Sequence, residues 1–377
     1  MSEGRCKKSQ DAFLALVRAG LWEKANDNEN QNENLFEGFD WGEVQKLVEE
    51  QSVVGLVAAG AEWFTVHGSR FMIPLTEKLT MLGMCQLIEQ RNETINHLIV
   101  ELWFRLREAG VKVLLVKGQG LAQCYERPLW RSSGDVDFLV DEANYWKAVE
   151  ILKPVAENSF TGGDYSKEYG FNIGAFLVEV HGSLRTGLSS CIDKEVDVVQ
   201  KDTFANGRFR VWHNGVTDVL LPDPNDDVFF VFTHFIKHFY KEGMNLRQVC
   251  DWCRLLWTYR KEIDVTLLEH RLRKAGLMNE WKAFAALTVD SLGMPVETMP
   301  LYDADERWQK KGEAVLRFIL KGSKPNKVKD TLAIAKIFPW NTLCFAPSIF
   351  LNVNRLKVKE RINNNGLLHS YWGWDSQ

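Results

Sequence analysis

Hydrophobic positions between Gln86 and Ala109 recur at helical spacing: Ile88, Ile95, Leu98, Ile99, Leu102 and Leu106. The spacing predicts one amphipathic helix, and Gly110 stands where a left-handed C-terminal cap would end it. After Gly110 the period changes. VKVLLV (111–116) is a compact apolar run suited to a buried strand, and KGQGLAQCYE reads as a glycine turn opening into a short helix. DVDFLV (135–140) predicts a second strand, and EANYWKAVEILKP a helix stopped by Pro154. YGFNIGAFLVEVHGSL holds two further strands with a break near Asn172 to Gly174. This alternation over 111–183 predicts a small domain of layered strands and helices.

Helical patterns flank it. Residues 10–23 read as a helix running into KANDNENQNEN, a polar tract with nothing to bury that is expected to be a solvated loop. Leu47, Val53, Val54 and Val57 support one or two short helices before Pro74. From Pro224 the pattern is helical again, through NDDVFFVFTHFIKHFYKEG, LRQVCDWCRLLWTYR, TLLEHRLRKAG and EWKAFAALTVDSLG. The expected organisation is an α+β chain in three parts: an N-terminal helical region at 1–74, a sheet-bearing core at 75–215 and a C-terminal helical region at 216–377.

A chain of 377 residues is long enough for two or three packed units. Lys and Arg number 46 against 50 Asp and Glu, a net charge of −4, so no global basic field is present to hold nucleic acid without sequence preference. Seven scattered cysteines, an odd number, read as reduced thiols. The early apolar run AFLALV is shorter than a signal-peptide core, and the expected address is the cytoplasm. Thr331 to Val353 is apolar but contains Lys336, Pro339, Asn341 and Pro347, which suits a docking segment or subunit interface better than a membrane span.

Alternate side chains of a strand share a face, so Asp135 and Asp137 point one way while Val136, Phe138 and Val140 point the other. Adjacent like charges at the end of a buried strand are costly unless a cation lies between them, and hard oxygen ligands suit Mg²⁺ or Mn²⁺. In LVEVH, Glu179 and His181 share a face opposite Val178 and Val180. If the two strands are neighbours, three acids converge. Lys117-Gly118-Gln119-Gly120 lies at a strand-to-helix junction, where free N–H groups, the helix dipole and a lysine suit phosphate.

This order of elements resembles the nucleotidyltransferase superfamily that includes DNA polymerase beta. More narrowly, VLLVKGQGLAQCYERPLWRSSGDVDFLV looks like the signature of a bacterial family described as uncharacterised nucleotidyltransferases. The matching residues are Lys117-Gly118, Tyr125, Pro128, Arg131, Asp135-x-Asp137 and Glu179-x-His181, and the resemblance extends from near residue 40 to near residue 256. It implies a small mixed sheet of nucleotidyltransferase type. It also implies that Asp135 and Asp137 hold Mg²⁺ (or Mn²⁺) against a nucleoside triphosphate, with Glu179 completing the site for a second ion. An acceptor hydroxyl would attack the α-phosphorus in line and pyrophosphate would leave. Lys117 and Arg131 are expected to neutralise phosphate charge, with Gly118 in the turn and Lys117, Ser132 or Ser133 standing in for an absent motif serine. His181 would orient Glu179 or touch substrate, and Lys241 and Arg247 would reach phosphate or base from KEGMNLR.

The superfamily's glycine motif is Gly followed by Gly or Ser, and Gly118-Gln119 departs from it. That departure supports an alternative: a catalytically inactive protein that keeps the fold to bind a nucleotide or a partner. His234 and His238 have the spacing of a two-histidine metal face, the basis of a helical metal-dependent hydrolase, but without an HExxH glutamate packing beside polar partners is the expectation. Cys250 and Cys253 are expected to be core thiols, and the 14 tryptophans to anchor helical packing.

Overall fold

A computed structural model describes residues 3–22, 36–67, 73–163, 165, 167–321 and 327–345. The polar tract after Trp22 falls outside the described residues, and the apolar stretch 331–353 is described only as far as 345.

Among the described residues three helices come first: α1 (Glu3–Trp22), α2 (Trp41–Glu50) and α3 (Val54–His67). Asp40 caps α2 by accepting from the Gly42 and Glu43 amides. The next helix, α4 (Leu75–Glu108), starts directly after Pro74 and stops before Gly110, whose φ of +72° supplies the expected left-handed turn. It begins well before Gln86 because its first turns expose Leu75, Leu79 and Leu82, which blurs the amphipathic period there.

Five strands follow: β1 (Val113–Val116), β2 (Asp135–Val140), β3 (Asn158–Gly163), β4 (Glu168–Ile173) and β5 (Phe176–His181), with α5 (Gly118–Ala122) and α6 (Tyr145–Leu152) between them. They form one sheet in the order β1-β2-β5-β4-β3, with β2 and β5 parallel and the other pairs antiparallel. The β3 sequence, NSFTGG, carries little apolar signal, which is why only four of these strands were legible. After α7 (Ser190–Asn206), β6 (Phe209–Asn214) and β7 (Thr217–Pro222) make a hairpin whose turn contains Gly215, and β7 packs beside β1.

Two faces of the sheet are buried differently. Val113, Leu115, Val136, Phe138, Val178 and Val180 pack on Ile95, Ile99 and Leu102 of α4 and on Ala148 and Val149 of α6. Leu114, Val116 and Leu139 face the other way, into a core built largely from the C-terminal helices. Those helices are α8 (Pro224–Lys237), α9 (Leu246–Thr258), α10 (Val265–Ala275), α11 (Met278–Ala286), α12 (Glu306–Leu320), α13 (Lys327–Ile337) and α14 (Pro339–Phe345). Their core is aromatic: Phe232 stacks at 5.4 Å on Trp252 and 4.8 Å on Trp281, both tryptophans fully buried. Cys250 and Cys253 are buried beside them, as small core thiols should be. Among the described residues no helix is long and apolar enough to cross a membrane.

Candidate active site

Period-two geometry places Asp135, Asp137 and Leu139 on one face of β2, and Leu177, Glu179 and His181 on the same face of β5. The register pairs Asp137 with Glu179 and Leu139 with His181. Leu139 packs into the helical core, while the polar ends of both strands open onto a cleft of about 240 Å³. Asp137, Glu179 and His181 each offer a ligand atom within 4.8 Å of the others, the one group of three such side chains among the described residues. Asp135 lies outside this tight group and lines the same cleft nearer its mouth, and His181, read from the sequence as orienting or substrate-binding, lies inside it.

Asp137 is the centre of the arrangement and is 1% exposed. Its Oδ1 accepts from Lys117 Nζ at 2.9 Å and from His181 Nε2 at 2.8 Å. Its Oδ2 is buried with no hydrogen-bond partner among the described residues. An ionised carboxylate oxygen without a donor is costly, so this atom asks for a cation. His181 Nε2 also lies 3.4 Å from Glu179 Oε2, and Glu168 stands 4.0 Å from its Nδ1.

The lysine arrives by a strained turn. Lys117 has φ 57° and ψ −145°, and Gly118 follows at φ +37°. A Cβ on Gly118 would come within 3.3 Å of the Asp135 carbonyl oxygen, so the turn and β2 are fitted to each other. The helix it opens, α5, has five residues, too few for the strong dipole expected of a phosphate cradle. Lys117 is paired with Asp137 at 2.9 Å, at the edge of the cleft where the sequence places a cation for phosphate.

Burial opposes ionisation of Asp137, but the Lys117 charge and the His181 bond hold its carboxyl well below the usual range. Asp135 moves the opposite way: the Asp137 charge, then burial, pushes it up against the pull of Lys117, Arg247 and Arg131. Burial would lower the Lys117 amine, yet Asp137, with Asp135 and Glu179, keeps it above the ordinary lysine value. For His181 burial and Lys117 also push down, and its bonds to Asp137 and Glu179 outweigh them.

The remaining sequence-predicted residues divide. A second lobe of about 140 Å³ joins the cleft and is lined by Gly118, Arg131 and Arg247 among others. Arg131 grips Asp251 with two bonds of 2.8 and 2.7 Å and gives a third, of 2.8 Å, to the Ser133 hydroxyl, which also accepts from Gln119. Both side chains are thus held in the wall by bonds within the protein, with Arg131 still lining the lobe. Arg247 is different: it bonds the Ser132 carbonyl, its Nε has no partner, and no carboxylate lies within ion-pair distance among the described residues. Lys241 is not brought to the cleft. Its amine bonds the Gly187 and Thr186 carbonyls at 2.6 and 3.4 Å.

Sequence reasoning misplaced His234 and His238. They are not set into the core; α8 turns Asp227, Val231, His234 and His238 along one stripe that walls the cleft opposite the acids. Phe229, Phe232 and Phe235 fill other sides of the helix, so the spacing of the two histidines was legible but not which surface they face.

A buried carboxylate and imidazole group opening onto a polar cleft lined by both acids and cations suits an enzyme that transfers a charged group. The chain belongs to a family described as uncharacterised nucleotidyltransferase, whose model matches residues 37–293, and it is a nucleotidyltransferase on that ground. No curated protein and no solved structure matches the chain. The match runs from just before α2 to just past α11 and includes every site residue named above.

Proposed function

We propose that the chain moves a nucleoside monophosphate from a nucleoside triphosphate to a hydroxyl acceptor, releasing pyrophosphate. The observation that carries this is the orphaned, buried Oδ2 of Asp137 beside Glu179 and His181. Asp137 and Glu179, joined by His181 and with Asp135 at the mouth, would hold Mg²⁺ or Mn²⁺; carboxylates suit both ions. When bound there, such an ion supplies charge against the triphosphate and acidifies the acceptor hydroxyl.

The chain's own residues do the rest. Lys117 keeps Asp137 ionised and sits where the two lobes meet. Arg247, an unpaired guanidinium in the cationic lobe, takes the phosphates with the Gly118 backbone. Arg131 and Ser133 hold that lobe in shape through Asp251. The lobe lined by Glu168, Glu179 and Arg185 then receives the acceptor. The resemblance in element order to the superfamily that includes DNA polymerase beta supports the same assignment.

The Lys117 ammonium against Asp137 favours a second reading, a catalytically inactive nucleotide- or partner-binding protein whose lysine stands where metal charge would otherwise be. One experiment separates the two. The protein is incubated with each α-labelled nucleoside triphosphate and Mg²⁺ or Mn²⁺, and pyrophosphate and label transfer are measured beside D137N and E179Q. Metal-dependent pyrophosphate release that both variants lose supports the transferase. Nucleotide binding without release, unchanged in both variants, supports the inactive fold.

A further inference from the structure

Opposite the acids, two turns of helix carry three titratable side chains in file. His234 ends near the cleft, His238 follows one turn on, and Glu242 closes the π-helical turn His238–Glu242 that continues α8. His234 Nε2 and His238 Nε2 lie 3.0 Å apart, and His238 Nδ1 lies 2.9 Å from Glu242 Oε2. The pair lacks a third donor for a metal: the one three-ligand group among the described residues is Asp137, Glu179 and His181. A hydrogen-bond chain is what the geometry provides.

A carboxylate only accepts, so His238 must present a proton on Nδ1, and with His238 neutral that fixes the rest of the chain. Its bond to His238 Nδ1 strongly favours the ionised form of Glu242, holding it down to about 2. His238 therefore carries its proton on Nδ1 and offers a lone pair at Nε2. His234 must then donate from Nε2, which leaves its Nδ1 unprotonated, and that atom has no hydrogen-bond partner among the described residues. Burial first, then the Lys117 charge, pushes His234 well below the ordinary histidine value, so it is neutral at pH 7. His234 also lies at the junction of the cleft: it lines both the Arg247 lobe and the Glu179 lobe.

On the transferase reading above, we infer that His234 Nδ1 is the general base that takes the acceptor's proton, and that His238 and Glu242 are positioning residues that set its tautomer and carry the proton outward. The balance is complete. The acceptor oxygen bonds the α-phosphorus as the bond to the β-phosphate oxygen breaks and pyrophosphate leaves. The hydroxyl proton goes to His234 Nδ1, the Nε2 proton passes to His238, and the Nδ1 proton of His238 passes to Glu242, which is exposed and releases it to water. A catalytic junction is where a base belongs, because the acceptor meets the α-phosphorus only there.

The test has two arms. In protein labelled with ¹⁵N-histidine, long-range ¹H–¹⁵N correlation at pH 7 reports the tautomers: His234 is expected with bare Nδ1, and E242Q is expected to scramble the assignment at both histidines. A protonated Nδ1 on His234 overturns the inference whatever the activity. In the second arm, water is the acceptor, and pyrophosphate release from ATP, GTP, CTP and UTP with Mn²⁺ is followed across pH 5 to 9. H234Q is expected to lower kcat about 100-fold or more with little change in KM, and to do so across the neutral and alkaline part of the profile, where His234 is unprotonated. The charged groups facing His234 are Lys117, Asp135 and Asp137 from the sheet, Arg247 from α9, and Lys237 and Asp227 on its own helix. The profile of K237M therefore serves as the control for a nearby charge alone. An unchanged kcat in H234Q while D137N is inactive overturns the base and leaves the transferase standing. Equal turnover in wild type and D137N overturns the transferase reading, and the tautomer arm then decides the hydrogen-bond chain independently.

Discussion

Asp137 and Glu179 face each other across the parallel pair β2 and β5, and Asp137 alone of the two is tied to Lys117. This asymmetry divides the acids by function and by stability. The inner carboxylate, Asp137, is locked into charge by its neighbours. Asp135, two residues nearer the mouth, bears the repulsion of that charge.

Asp135→Asn and Asp137→Asn are therefore expected to shift stability in opposite directions at pH 7. Asp137 is depressed in the fold, so its contribution is present above the unfolded value of about 3.9 and is lost as pH falls through the folded value. D137N leaves Lys117 and His181 without their anion and is expected to cost about 3 to 5 kcal/mol. Asp135 is raised, so its contribution is present below about 3.9 and is lost as pH rises through its folded value. D135N is expected to gain roughly 0.5 to 2 kcal/mol at neutral pH. Urea unfolding at pH 4 and pH 7 checks both, and the D135N gain should shrink at the lower pH.

Metal addition supplies a related prediction. Millimolar Mn²⁺ is expected to raise the melting temperature of the wild-type protein, because a ligand that binds the folded state alone stabilises it. E179Q and D137N are expected to lose that rise. A rise in E179Q equal to that of wild type would place the ion elsewhere.

Arg131 and Asp251 make a second, independent test. Their side chains are 5% and 4% exposed, and Tyr125 adds a 2.8 Å bond to Asp251. D251N leaves a buried guanidinium uncompensated and is expected to cost about 3 to 5 kcal/mol in urea unfolding, with R131M/D251M costing less than D251N alone. If Arg131 instead acted chiefly on phosphate, R131K would lose turnover and keep stability.

The same residues show how far the sequence reaches. The β2 run reads as a strand from Asp135 to Val140 without error, because alternation with two buried valines and a phenylalanine is a strong signal. That Asp137 meets Glu179 also follows from period two once the strands are neighbours. Arg131 and Tyr125 stand out by resemblance, but their partner Asp251 lies 120 residues beyond Arg131 on another helix, and no local pattern links them. The i, i+4 spacing of His234 and His238 is legible, but their place at the cleft is not: α8 is apolar on nearly every side, and its packing among the C-terminal helices decides which stripe meets the acids. Lys117 is legible as a lysine in a turn, and its direction is fixed only by a strained backbone.

Thiol reactivity follows from burial. Cys6, Cys191 and Cys344 are exposed, while Cys85, Cys124, Cys250 and Cys253 are buried. Burial pushes Cys85 and Cys124 up to about 11, which leaves little thiolate at pH 8. Ellman's reagent is expected to report three fast thiols in the native protein and four more only on unfolding. Fast reaction of a fourth would show that the packing around one of the buried thiols opens.

Gly118 tests whether the strained turn positions the acids or merely connects two elements. Its φ of +37° and the 3.3 Å approach of a built Cβ to the Asp135 carbonyl act together. Alanine there meets a backbone penalty of about 1 to 2 kcal/mol and must move either the turn or the first residue of β2. Gly134, beside Asp135, has open space around its Cβ position and no positive φ, so G134A shares the neighbourhood without the clash. G118A is expected to lower both the melting temperature and Mn²⁺ affinity, the second by displacing Asp135 and loosening the aim of Lys117 at Asp137. G134A is expected to keep the metal affinity of wild type. Calorimetric titration with Mn²⁺ on both variants decides it: if G118A loses stability alone, the turn is a connector, and the alignment of Asp135 and Asp137 owes nothing to it.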